Sequence, residues 1–352
     1  MILQNKINDV QIEGEDLESS GKMHINVEES GHIIRMLTRA YADRIGSIVR
    51  ESVANAKDSH TMAGVTSPII VRIKPESNGE YTFEVEDRGL GLDDKEFFKY
   101  IMGIGESTKR LIANVIGGYG LGSKAASSYS ENYFYTCRKN GVERKYMIYQ
   151  DEDIPNSTLL YEKATEEGVG NGVIVSVPIK PGDVKEFKNK VSEQLAYFSG
   201  VYFEGCEIDN DYKIYRTSLF QYSEICTDSN MHISLDDVYY PIDFNKLGIK
   251  LIDISIALRF SLLDGISVIP NRENVEYTKE TKRILIKRIE EVAIHLFEQY
   301  NKNVQNFDNI EDVFNFYEEG EKWKYEIFPR HEINIKSLSP YSALKLEEPK
   351  LK

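Results

Sequence analysis

The sequence has little cysteine, little positive charge and no long apolar run. Its three cysteines, Cys137, Cys206 and Cys226, lie far apart and none sits in a C-x-x-C pair. A disulfide framework or thiolate zinc site is therefore disfavoured, and a reducing, cytoplasmic setting fits best. No apolar stretch approaches the roughly 20 residues that a membrane helix needs. The polar segment Met1 to Ser20 does not read as a secretion signal. With 43 Lys and Arg against 57 Asp and Glu, the formal net charge is -14. Extended binding of nucleic acid by phosphate neutralisation is disfavoured on that ground. Basic residues do gather from Lys279 to Arg288, but Glu280, Glu290 and Glu291 accompany them, as on a solvated helix face. Internal repeats and low-complexity tracts are missing too. What remains is an ordinary globular composition, 41% hydrophobic and 28% charged, in 352 residues, enough for two domains.

Taken in order, the periodicity predicts a helix capped by Ser30 with Ile33, Ile34, Leu37 and Tyr41 on one stripe. A second helix carries Ile45, Ile48, Val49 and Val53. Strands are expected at Pro68–Lys74 and Glu80–Glu86, joined by a Ser77-Asn78-Gly79 turn. Asp93 and Asp94 should cap a short helix over Lys95–Met102, and residues 103–123 form a long glycine-rich segment with the character of a lid. A helix beginning near Lys124 follows, then strands near Asn132–Arg138, Arg144–Tyr149, Thr158–Glu162 and Gly172–Pro178, then a helix from Asp183 to about Phe198. This order predicts a two-layer α/β sandwich with a mixed or antiparallel sheet. A boundary near Ser199-Gly200 separates it from a second α/β unit with strands at Val238–Ile242 and Ile252–Leu258. That unit ends in a long helix capped by Thr278, with Leu285, Ile289, Val292 and Leu296 buried. The expected division is 1–198, 199–300 and a peripheral 301–352.

Three stretches carry chemistry. Gly117-Gly118-Tyr119-Gly120-Leu121-Gly122-Ser123-Lys124 places four glycines just before a helix start. Backbone N–H groups there, with the helix dipole behind them, suit an anion, most plausibly a polyphosphate. The spacing is not that of a Walker A loop. Upstream, Glu51, Asn55 and Asp58 stand at i, i+4 and i+7, one helical face. Asn55 is a hard oxygen donor suited to Mg²⁺, and Glu51, one turn away, can serve as general base to a water. Asp58 reads equally as ligand contact, helix cap or supporting residue. Asp87 ends a strand before Gly89 and Gly91, where a carboxylate can accept from an exocyclic amine while a flat base lies against the glycines. His60 reads as a capping or surface residue.

Glu51-x-x-x-Asn55-x-x-Asp58, Asp87-x-Gly89-x-Gly91 and Gly118-x-Gly120-x-Gly122, in this order, resemble the GHKL ATPases. That superfamily includes gyrase B, the large heat-shock chaperone, histidine kinases and MutL. The resemblance implies a Bergerat nucleotide-binding fold that takes ATP and Mg²⁺, with Glu51 as the base, Asn55 as the metal ligand and Asp87 reading adenine. Where the family has Gly-Thr before a late strand, this sequence has Gly170-Asn171-Gly172-Val173, with Thr165 offset.

A closer resemblance is to rIIA-like proteins of large tailed phages. It rests on Ile116 to Lys124, Ser127-Ser128-Tyr129-Ser130, Val238-Tyr239-Tyr240-Pro241-Ile242-Asp243, Ile269 to Glu273 and Tyr277 to Lys282. It implies a role in lysis control or in countering host exclusion.

The second unit resembles the ribosomal-S5-like transducer domain of GHKL proteins, which sends a basic residue to the γ-phosphate. Arg272 is the candidate, with surface pairing to Glu273 or Glu276 as the alternative; Lys109 in the lid is a second candidate. The resulting expectation is a slow ATPase whose nucleotide state switches conformation or drives homodimerisation, with a protein partner possible. The rival readings are a nucleotide-gated interaction module without turnover, a histidine kinase and a DNA-acting topoisomerase. His24 and His32 lack the setting of a phospho-acceptor, and the acidic balance counts against DNA.

Overall fold

Alternation builds the first sheet. β1 (Ile69–Pro75) buries Ile69, Val71 and Ile73, and β2 (Tyr81–Glu86) buries Phe83 and Val85, so one face of each strand is apolar. The computed structural model describes residues 41–103, 122–151, 154–226, 230–249, 254–269 and 273–304. Within these, β1 and β2 join β3 (Asn132–Lys139), β4 (Val142–Asp151), β5 (Ile154–Ala164), β6 (Gly172–Ile179) and β7 (Val201–Glu204) in a seven-stranded sheet of order β5-β4-β3-β6-β2-β1-β7. β7 runs parallel to β1, and the other neighbouring pairs are antiparallel. The last strand of this sheet therefore lies beyond the boundary expected near Ser199-Gly200.

Helix α1 (Arg44–Ala63) and helix α3 (Val184–Leu195) supply the second layer. α1 contributes Ile45, Ile48, Val49, Val53 and Ala56, and α3 contributes Phe187, Val191 and Leu195, all buried in one core with the inner faces of β1 and β2. Each large apolar side chain buried this way contributes roughly 1.5–3 kcal/mol. The opposite face of the sheet carries alternating charge. Arg72 on β1 reaches Glu204 on β7 at 2.6 Å and Glu86 on β2 at 2.7 Å, and Arg138 on β3 reaches Glu86 at 3.0 Å and Glu143 on β4 at 2.7 Å. Burial alone would raise the Glu86 carboxyl, but hydrogen bonds from Arg72 and Arg138 outweigh it and hold it below the usual carboxylate range. Such a face is built to stay wetted, as one side of an antiparallel sheet commonly does.

Two expected helices take other forms. The segment Lys95–Met102 is one α-turn, α2 (Asp94–Glu96), followed by a π-helical turn, Phe97–Met102. A capping box between Asp93 and Glu96 starts it, and the Phe97 ring stacks on Tyr146 with centroids 3.8 Å apart. The Tyr100 carbonyl is then taken by the Lys124 ammonium instead of a further helical turn. The helix expected near Lys124 is a 3₁₀ helix, Gly122–Ser128. Here the Ser128 hydroxyl donates to the Ala125 carbonyl at 2.7 Å, the local competition by serine that disfavours a continuing α-helix.

The second unit is a five-stranded sheet of order β11-β10-β12-β9-β8. Its strands are β8 (Ile214–Arg216), β9 (Phe220–Ser223), β10 (His232–Leu235), β11 (Val238–Pro241) and β12 (Ala257–Phe260), with β10 and β12 parallel. A short helix, α4 (Phe244–Leu247), follows β11. Of the strand expected at Ile252–Leu258, Ile252 and Asp253 lie outside the described residues; a tight turn bonds the Ile256 N–H to the Ile254 carbonyl at 2.8 Å, and β12 starts at Ala257. Helix α5 (Lys279–Val304) buries Leu285, Ile289 and Val292, and Thr278 caps it by accepting from Thr281 N at 3.1 Å. The Leu296 side chain falls outside the described residues.

The two units meet along α1. The β10–β11 turn places Asp236 and Asp237 at φ of 49° and 70°, the conformation of a two-residue hairpin turn that Asp tolerates. Lys57 of α1 donates to the Asp237 carboxylate at 2.8 Å and to the Asp236 carbonyl at 3.4 Å. A cavity of about 360 Å³ opens beside this contact, lined in part by Asp58, Arg259 and Arg288.

Candidate functional site

The apolar stripe of α1 fixes its rotation, and that rotation turns Glu51 inward. Glu51 is 1% exposed. One of its oxygens, Oε1, faces the equally buried Arg50, whose Nε lies 3.4 Å away. The other faces Gly122. A Cβ added to Gly122 would crowd Glu51 Oε2, so any other residue there would push the carboxylate from this position. The structure thus brings the end of the glycine-rich loop against the candidate base, although 71 positions separate them in sequence. Asn55, one turn along α1, is half-buried.

The C-terminal end of α1 is tied to the loop after β2. Asp87 is buried, and its Oδ1 accepts from Gly89 N at 2.8 Å and from the Ser59 hydroxyl at 3.3 Å. Burial pushes the Asp87 carboxyl up to about 6, against the pull of hydrogen bonds from Gly89, Ser59 and the Val173 backbone. Ser59 also accepts from Leu90 N at 3.0 Å, and a Cβ on Gly89 would meet Ser59 Oγ at 2.1 Å. Gly91 turns the chain with φ of 64°. His60, expected as a capping or surface residue, is buried and accepts from Arg88 N through Nε2 at 2.8 Å. Burial is the main cause that lowers its pKa, with the nearby Arg88 charge adding to it, so the ring is neutral when it accepts. Ser59, which holds the Asp87 carboxylate, and His60, which holds the next backbone N–H, are neighbours that the sequence alone did not pick out. Their position, one turn beyond Asn55, was the available signal.

Other predicted residues are placed differently. Asp58 is buried and lines the cavity toward the second unit, while the neighbouring Ser59 makes the contact with Asp87. Lys124, expected to meet phosphate, donates to the carbonyls of Tyr100 at 3.2 Å and Gly103 at 2.5 Å and to the Ser123 hydroxyl at 2.9 Å. Burial lowers its pKa to about 8. Its ammonium is thus committed to the root of the 103–123 segment. Ser123 holds the same root, its hydroxyl donating to the Tyr100 carbonyl at 3.4 Å. The departure at Gly170 to Val173 lies beside Asp87, with Asp87 N donating to the Val173 carbonyl at 2.9 Å. The Asn171 carboxamide oxygen accepts from Asn140 N, at the β3–β4 hairpin. Gly117, Gly118, Tyr119, Gly120, Leu121, Lys109 and Arg272 lie outside the described residues.

The donor set fits a hard divalent cation. Asn55 and Glu51 offer an amide and a carboxylate oxygen on one face of α1, and Gly122 keeps the space before Glu51 clear of a side chain. No group of three or more His, Cys, Asp or Glu suited to a metal gathers among the described residues. An ion here would take most of its ligands from phosphate oxygens and water, as Mg²⁺ does.

Residues 44–167 match the family model described as Histidine kinase-, DNA gyrase B-, and HSP90-like ATPase. This segment is a GHKL-type ATPase domain. The match to the ATPase domain runs from α1 through β5 and so contains Glu51, Asn55, Asp87 and Gly122. Among solved structures, the chain is similar to the ATPase and transducer domains of DNA topoisomerase II from Balamuthia mandrillaris, at 12% identity and a TM-score of 0.46, covering 69% of this chain and 82% of that one. It is also similar to the ATPase region of Saccharomyces cerevisiae topoisomerase II, at 12% identity and a TM-score of 0.46, covering 70% and 85%. No curated protein matches the chain. Among the described residues, no helix is long and apolar enough to cross a membrane.

Proposed function

We propose that the chain binds Mg-ATP in its GHKL-type domain, hydrolyses it slowly, and uses the nucleotide state to switch conformation or to dimerise. The observation that carries this reading is the approach of Gly122 to Glu51, which brings a buried carboxylate to the end of the glycine-rich stretch, where a general base would stand. Asp87 accepts from the adenine amine, Gly89 and Gly91 leave room for the ring, and residues Gly117 to Gly122 wrap the phosphates. Asn55 would hold a magnesium ion, which would neutralise phosphate charge. Glu51 orients a water and takes its proton. The second unit acts as a transducer that carries Arg272 toward the γ-phosphate. In support, its neighbour Glu273 reaches the first turn of α1.

Calorimetric titration with Mg-ATP, followed by single-turnover hydrolysis, tests the reading. Binding with turnover in the wild type, and binding without turnover in Glu51→Ala, is the expected pair of results. Absence of nucleotide binding would overturn it. The Arg50–Glu51 pair favours a second reading, an interaction module in which the base is held back and ATP is bound without turnover. Wild-type protein that binds ATP and never cleaves it would select that reading.

The rIIA-like resemblance extends the proposal to lysis control or to countering host exclusion in an infected cytoplasm. Loss of the plating phenotype in a Glu51→Ala phage is the corresponding test.

A further inference from the structure

Arg50 carries a buried guanidinium beside the candidate base, and such a group needs acceptors on every side. Its acceptors include Gln194 Oε1 on α3 at 3.2 Å, the Ser47 hydroxyl at 3.2 Å and Glu51 Oε1 at 3.4 Å. Ser47 therefore accepts from Arg50, and its single hydroxyl proton is left to donate elsewhere. It donates to Glu273 Oε1 at 3.4 Å, and the same oxygen accepts from Asp43 N at 2.7 Å. Glu273 lies 230 positions away in sequence from Asp43, in the second unit and directly after Arg272. The hydrogen bonds run in one direction, from Arg50 to Ser47 to Glu273, so each bond polarises the next.

We propose that Glu273 is a positioning residue for Glu51, acting through Ser47 and Arg50. The inference rests on the reading of Glu51 as the base. With Glu273 docked, Ser47 holds Nη2 of Arg50, and the guanidinium meets Glu51 through Nε at the long distance of 3.4 Å. Oε2 then stays turned toward Gly122, where a water would be activated. When the second unit withdraws, Ser47 loses its acceptor and its hold on Arg50 weakens. Arg50, with Nη1 still on Gln194, then closes on Glu51 through Nε and Nη2 as a bidentate pair, which occupies the base. The same carboxylate ties the Asp43 amide at the start of α1. One side chain thus reports the seating of the second unit to the helix that bears the chemistry.

The test uses the full chain. Glu273→Ala should lower kcat for Mg-ATP hydrolysis by about 100-fold, with nucleotide Kd unchanged. Glu273→Gln keeps a carbonyl oxygen for Asp43 N and Ser47 and should recover most of that loss. Ser47→Ala should slow turnover as well, and the Ser47→Ala/Glu273→Ala double variant should be no slower than the worse single one, as for residues on one path. Amide exchange over the first turn of α1 should rise in Glu273→Ala and stay at the wild-type level in Glu273→Gln. Additive losses, failure of Gln to restore turnover, or unchanged exchange would each overturn the positioning role. Equal turnover in wild type and Glu51→Ala would remove the base assignment and the positioning role together. Loss in Glu51→Ala with none in Glu273→Ala would remove the positioning role alone.

Discussion

Beyond Lys57, whose ion pair with Asp237 reaches the second unit, the C-terminal end of α1 is tied to its own unit by a hydroxyl and an imidazole: Ser59 bonds Asp87 and Leu90 N, and His60 accepts from Arg88 N. At its N-terminal end the ties reach α3 and the second unit and involve charge: Lys190 pairs with Asp43 at 2.9 Å, Glu273 accepts from Asp43 N, and Arg50 meets Glu51. Glycine close approach locks the first end, since Gly89 packs on Ser59 with no room for a methyl group. Partners at the second end are long side chains that can re-pair. The end that would read the base is built stiff, and the end that bears the proposed base is built to respond to another part of the molecule.

Four substitutions sharpen or break that contrast. Glu51→Ala, at the responsive end, should leave Mg-ATP bound and lower the hydrolysis rate by about 100- to 10,000-fold. Single-turnover assays would show it, and wild-type turnover would refute it. The same variant keeps ATP intact, so sedimentation with ATP, ADP and no nucleotide checks the proposed ATP-dependent dimer; an identical mass in all three would exclude the switch.

Asp87→Asn, at the stiff end, should weaken ADP and ATP alike by on the order of 1.5–3 kcal/mol, the worth of a hydrogen bond to a charged group. Because the Asp87 carboxyl is pushed up to about 6, a wild-type site should lose affinity as pH falls below about 6. Adenosine, which carries no phosphate to titrate, is the probe, and the pH dependence should vanish in Asp87→Asn. The sign for stability is the reverse. The folded pKa lies above the ordinary aspartate value of 3.8, so the ionised carboxylate costs stability above about pH 6 and the cost fades below about 4. Asp87→Asn should therefore raise the midpoint of unfolding at pH 8 while it impairs binding. A destabilised variant at pH 8 would show that the hydrogen bonds outweigh the buried charge.

Gly89→Ala forces a methyl group into Ser59 and should cost ~1–3 kcal/mol by overpacking. Chemical denaturation would measure it. The smallest effect is expected for Ser59→Ala, about 1 kcal/mol for one hydrogen-bonding hydroxyl, with adenosine affinity falling and the hydrolysis rate of bound ATP unchanged. A slowed chemical step in that variant would mean that the two ends of α1 are not independent.

Much of this was legible in the residues. Alternation marked β1 through β4 and β6, and 3.6-residue periodicity marked α1, α3 and α5, because burial of one face is a local pattern. The spacing of Glu51 and Asn55 told which face they share. The π-helical turn at Phe97–Met102 was not legible, since it depends on a stacked Tyr146 and on Lys124, both distant in sequence. Lys124 looked like a phosphate ligand for the same reason: its sequence neighbours are glycines, and its carbonyl partners come from another segment.

The sequence by itself determined most strands and helices of the first unit, their apolar faces, and the presence of a carboxylate, an amide and a glycine-rich loop of the right kinds. Only the tertiary structure decided which of them meet. Gly122 lies against Glu51 because the 3₁₀ turn packs against α1, and Ser59 rather than Asp58 holds Asp87 because sheet packing fixes the rotation of that helix. Glu273 reaches the first turn of α1 because the second unit docks on the same helix through Lys57 and the Asp236-Asp237 turn. Pairings of that kind are set by long-range packing, in which no local pattern names the partner.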